Sequence, residues 1–196
     1  MCPGITREAQ TSHLKLARLR PSTRSPAVES IARETSIAIM SPNVHVARPE
    51  TARIAGQLQN MYQGPAWHGP ALKPLLADVS GQQAAARPIQ NAHSIWELVL
   101  HTTAWLRIAS ERLSASETRD HTPEENWPAV TGSWPDALAA LEREQYDLER
   151  AILAFPDERL DAPAPASEPQ TFYVLLHGVI QHIAYHAGQI ALLKKA

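Results

Sequence analysis

Four stretches of helical apolar periodicity, set apart by proline-rich connectors, constrain this chain to a bundle of helices. The first runs over about residues 50–62, with Ile54, Leu58 and Met61 at helical spacing, and Gly64-Pro65 ends it. Pro65, Pro70, Pro74 and Pro88 follow, leaving room only for a short turn around residues 72–78. The second stretch opens at Ser94-Ile95-Trp96-Glu97, the spacing of a capping box, and continues through Leu98, Thr102, Trp105, Leu106, Ala109 and Leu113. The third opens at Ser133 with Pro135 in the first turn and Asp136 three residues after the cap. Its apolar face is Trp134, Leu138, Leu141, Leu148 and Ile152, and Pro156 stops it. The fourth begins near Thr171 and passes through Leu176, Val179, Ile183, Ala187 and Ile190, with Lys194 and Lys195 complementing its negative end. No alternating strand pattern, Asn-Gly hairpin signal or fixed-period repeat is present. The expected fold is all-α, a four-helix bundle with long connectors.

Residues 1–45 read differently. They are rich in Ser, Thr, Pro and Arg, with Pro3, Pro21, Pro26 and Pro42 interrupting any period, and such a segment buries too little apolar surface to offset its ordering entropy. An irregular, disordered tail is expected there, with the bundle domain over residues 46–196 and Met40 as a candidate native start. The tail holds scattered bases but no apolar block followed by a small-residue cleavage site, so no secretory signal is expected. No apolar run reaches the length of a membrane span. A net charge of −2, with no Lys/Arg run after the tail, speaks against nucleic acid and anionic lipid as partners. Cys2 is the one cysteine, so neither an intrachain disulfide nor a cysteine-built zinc site can form. That usage suits a reducing cytoplasm.

Three of the nine histidines fall where chemistry is possible. His182 and His186 are four residues apart on the fourth helix, so both rings lie on one face and can reach the same ion. Their face borders Val179, Ile183 and Ile190, toward the bundle interior. His101 lies on the inward side of the second helix, between Leu98 and Trp105. A pair from one helix and a single ligand from another is one way to build a three-nitrogen site. A His-x-x-x-His pair alone also arises by chance, and an inward lone histidine is more often a satisfied core residue.

The wider match weighs toward the site. Gly178-Val-Ile-Gln-His182-Ile-Ala-Tyr-His186-Ala-Gly-Gln-Ile190 and its basic end resemble the last helix of the DinB/YfiT-like family. Ser94-Ile-Trp-Glu-Leu-Val-Leu-His101 resembles that family's second helix, whose end carries its third histidine. Gly64-Pro-Ala-Trp-His-Gly-Pro70 and Ser133-Trp134 also fit the pattern, which covers about residues 46–196. The resemblance implies a four-helix bundle holding a divalent metal on His101, His182 and His186, in a protein that is often a homodimer.

Three neutral imidazoles leave coordination positions open, the pattern of a catalytic rather than a closed structural site. They suit zinc, nickel, copper or iron without choosing among them. The resemblance implies a metal-dependent enzyme, a thiol-dependent transferase or a hydrolase, acting on a small-molecule substrate with a low-molecular-weight thiol. The alternative is a non-catalytic metal-binding protein or a stress-induced structural bundle. No catalytic base is evident: neither a Ser-His-Asp set nor paired carboxylates stand near the histidines.

Glu97 either orients His101 or serves the capping box, and the spacing favours the box. Gln189 and Tyr185 flank the pair, with Tyr185 expected against a neighbouring helix. In the substrate reading Trp67 and His68 form a pocket loop, though a loop histidine such as His68 is more often merely exposed, while Trp96, Trp105, Trp127 and Trp134 are expected mainly in the core. His177 falls on another face, and His13, His45, His93 and His121 fall in the tail or connectors as structural or exposed residues.

Overall fold

In the computed structural model, residues 48–167 and 170–196 are described. The expected tail and the Met40 start lie outside them. Four long helices carry the fold: α1 Glu50–Gln63, α4 Ile95–Ser114, α6 Trp134–Ala154 and α7 Phe172–Leu193. Three short helices occupy the connectors: α2 Leu72–Leu76, α3 Gly81–Ala85 and α5 Pro123–Asn126. A 3-10 turn, Asp157–Arg159, follows α6. No β-strand occurs among the described residues, so the chain is an all-α bundle as its periodicity requires.

Each long helix starts where a side chain can satisfy its unpaired N–H groups. Ser94 and Glu97 form the reciprocal box that opens α4, with Ser94 N donating to Glu97 Oε2 at 2.8 Å and Glu97 N to Ser94 Oγ at 3.2 Å. Ser133 caps α6 and Thr171 caps α7. Helix α1 differs, because Pro49 at its N-cap has no capping side chain. Asp157 supplies the cap from across the fold, accepting from Glu50 N at 2.6 Å, Thr51 N at 3.0 Å and Thr51 Oγ1 at 2.6 Å.

These bonds favour the ionised carboxylate, so the Thr51 hydroxyl and the α1 N–H groups hold Asp157 below its ordinary pKa. A lowered folded-state pKa contributes stability that is complete above the unfolded value, about 3.9, and is lost as pH falls through the folded one. Asp157→Ala is therefore expected to lower the Tm at pH 7. The gap to wild type should narrow at pH 3, as followed by circular dichroism melts at both pH values.

The core lies between the long helices. Ile54 and Leu58 of α1, Leu98 and Leu106 of α4, Leu141 and Leu148 of α6, and Leu176, Ile183 and Ile190 of α7 are buried. Trp134 is buried too, with its Nε1 donating to Val79 O at 2.8 Å, and this ties the start of α6 to the α2–α3 connector. Lys194 does more than complement the α7 dipole. Its ammonium donates to Leu75 O at 2.6 Å and pairs with Asp78, so it pins the α2 segment to the end of α7.

Candidate metal centre

His182 and His186 stand one turn apart on α7, and α4 brings His101 to meet them. His101 Nε2 lies 3.0 Å from His182 Nε2, and His186 Nε2 lies 2.8 Å from the same atom. One ligand atom from each ring falls within 4.8 Å of the others, close enough to bind a single metal ion. His101 and His186 are 4% and 5% exposed, and His182 is half-buried.

The outer ring nitrogens show which inner ones are free to act as ligands. His101 Nδ1 lies 2.6 Å from the backbone carbonyl of Asn126. A carbonyl only accepts, so Nδ1 carries the proton and Nε2 keeps its lone pair. His186 Nδ1 meets the Gln189 amide oxygen at 2.6 Å, with the same consequence. His182 Nδ1 is buried without a partner. The three Nε2 atoms, with that of His182 within 3.0 Å of both others, thus share at most one proton.

Burial also holds the rings neutral. It pushes all three pKa values down, and His182, with His186 and His101 beside it, falls to about 4. The Nε2 lone pairs of His101 and His186 converge on that of His182, an arrangement a shared cation would suit. Tetrahedral zinc–imidazole bonds of about 2.0–2.1 Å place ligand nitrogens about 3.3 Å apart, a small opening of the observed 3.0 and 2.8 Å, so the donor set fits the implied metal.

The partner of His101 comes from α5. This single turn is capped by a second reciprocal box, Thr122 with Glu125. Its last carbonyls have no partner within the helix, and that of Asn126 is the one His101 uses. Trp127 then stacks on His101 with ring centroids 3.8 Å apart, and His93 stacks on the other side of Trp127, also at 3.8 Å. Glu97 is engaged in its capping box and pairs with Arg87, so the ring-orienting group is a backbone carbonyl rather than this carboxylate. The Thr122-Pro-Glu-Glu125 spacing was a readable helix start, whereas the stacking left no signal in the sequence.

A cleft of about 540 Å³ is lined in part by Trp105, Arg112, Asp120, His121, Asn126 and Trp127. None of the three histidines lines it, and Trp127, stacked on His101, and Trp105 connect it to them. The Trp105 ring is 5.5 Å from that of His182. Here the expected pocket loop needs correction. Trp67 is fully exposed and His68 is exposed, and neither lines the cleft, because the turn after α1 projects into solvent. The tryptophans of the cleft are Trp105 and Trp127, while Trp96 and Trp134 pack edge to face at 5.5 Å. His121, expected as a plain connector residue, is a wall of the cleft. Tyr185, expected against a neighbouring helix, is 64% exposed, and its ring stands 5.2 Å from that of His186. His177 packs against Tyr173, one turn before it on α7.

A helical bundle with three convergent imidazoles and an adjoining cleft is the class of protein that the fold and site define. The family model of the DinB superfamily matches residues 67–190, a span that contains all three histidines, and the chain belongs to that superfamily. The crystal structure of a conserved protein from Enterococcus faecalis is similar, with 18% sequence identity and a TM-score of 0.49, covering 75% of this chain and 92% of that one. No curated protein matches the sequence. Among the described residues, no helix is long and apolar enough to cross a membrane.

Proposed function

We propose that His101, His182 and His186 hold one divalent metal ion, zinc, nickel or iron, through their Nε2 atoms, and that the protein is a metal-dependent enzyme of the thiol-transferase or hydrolase class. The observation that carries this reading is the pair of lone pairs that Asn126 and Gln189 turn toward His182. The bound ion would act as a Lewis acid and make a water or thiol beside it more acidic. The chain's own residues supply the rest. Asn126 and Gln189 fix the tautomers, and Trp127, stacked on His101, shields one face of the site from water. Asn126 Oδ1, buried without a partner, is an acceptor for a substrate donor.

The cleft supports an enzyme over a storage or structural site, because Trp105, Asn126 and Trp127, which pack against or bond the histidines, also line a space of substrate size. A homodimeric state and a functional domain over residues 46–196 belong to the same reading on the family resemblance, and action in the cytoplasm on the single cysteine, Cys2. The test is the metal content of untagged protein purified without chelator, measured by mass spectrometry. Near-stoichiometric metal is expected. Its absence, even after soaking with zinc, nickel or iron, would remove the reading.

A further inference from the structure

Arg112 is the least expected residue in the cleft. It is 8% exposed, yet its Nε has no hydrogen-bond partner, and no ion pair among the described residues includes it. A guanidinium stays charged in proteins, so burying its Nε–H without an acceptor is costly. Two structural roles are visible. Arg112 sits in the last turn of α4, where a cation suits the helix dipole, and its Cζ lies 6.0 Å from the Trp105 ring. Neither gives the Nε–H an acceptor, and no described residue supplies one.

Asp120 is the nearest acidic influence, but it is exposed and its carboxylate accepts from Ser167. His121 adds a second donor to the same cleft. Its Nδ1 is 3.1 Å from Arg119 Nη1, which can only donate, so the neutral ring carries its proton on Nε2.

We propose that this cleft binds a small organic acid, with its carboxylate on Arg112 and its apolar body along Trp105 and Trp127. The Trp105 ring lies 6.0 Å from the guanidinium carbon and 5.5 Å from the ring of His182. An acid anchored at Arg112 would lay its body on Trp105, the residue that links the cleft to His182. A planar guanidinium matches a carboxylate through two parallel hydrogen bonds, and aromatic walls suit an apolar body. The proposal deepens the metal-enzyme reading and rests on it for the role of the far end; the carboxylate anchor stands on Arg112 alone.

The test uses the full chain, metal-free and zinc-loaded, with benzoate, 3-phenylpropanoate and hexanoate, each beside its primary amide. Binding is followed by tryptophan fluorescence and titration calorimetry. At least one acid should bind about tenfold or more tighter than its amide, the ratio expected for a charge-assisted contact. Arg112→Gln should erase that ratio, and Arg112→Lys should retain part of it. Equal binding of acid and amide, no binding of any acid at 10 mM (on the order of the weakest useful contact), or an undiminished ratio in Arg112→Gln would overturn the proposal. Should Arg112→Gln fail to fold, the wild-type ratio and Arg112→Lys decide it. His186→Ala separates the two readings: the acid-to-amide ratio should persist there, whatever becomes of the metal.

Discussion

Zinc is expected to raise the Tm of the wild-type protein by about 10 °C and to leave that of His182→Ala unchanged. At a free concentration a thousandfold above its dissociation constant, a ligand of the native state adds about 4 kcal/mol, and each kcal/mol moves the Tm of a domain this size by about 2–4 °C. His182 is the variant of choice because its Nε2 is the atom both other rings approach, at 3.0 and 2.8 Å. Losing an outer contact to a ligand costs about 10–100-fold in metal affinity, and losing the ligand itself costs more. Protons do not obscure the comparison near neutral pH, since burial and the neighbouring rings hold the His182 pKa at about 4.

The metal-free variant should melt within a few degrees of metal-free wild type. His182 is only half-buried, and its removal relieves the crowding of lone pairs. Differential scanning calorimetry with and without zinc checks both halves. An equal zinc shift in the two proteins would place the metal elsewhere, and a shift in neither would remove it.

The four long helices were legible because each carries its own boundary signals. Ser94 with Glu97, Ser133 with Pro135, Thr171 and Pro156 act within a few residues of where they stand, and the structure uses all of them. Periodicity also put His101, His182 and His186 on inward faces, and their segments carried the family resemblance. It did not tell which faces meet. What escaped is long-range: Asp157 caps α1 from 106 residues beyond Thr51, and Pro49 hinted only that the cap had to come from elsewhere. The Asn126 carbonyl, the Trp127 stack and the Arg112 cleft depend on where α5 docks. A single turn has too few residues to show which neighbour it packs on. Trp67 was misplaced for the same reason, since a tryptophan in a loop reads alike whether it lines a cleft or points into solvent.

Leu148→Ala should destabilise the protein by about 2–5 kcal/mol, lowering the Tm by about 5–15 °C, while leaving zinc stoichiometry untouched. Leu148 is fully buried on α6 and belongs to the core shared with the other long helices. Truncation removes its transfer energy and leaves a cavity that surrounding helices fill only in part. Helix α6 carries none of the three histidines, and α4 and α7, which do, keep their own caps. Urea unfolding of the metal-free protein measures the first effect, and zinc titration at 25 °C the second. Together with His182→Ala, the variant separates two contributions. A core residue should change the stability of the metal-free fold and spare binding, whereas a histidine should abolish binding and spare that fold. Loss of zinc binding in Leu148→Ala would mean that the cluster relies on α6 packing rather than on α4, α5 and α7 alone.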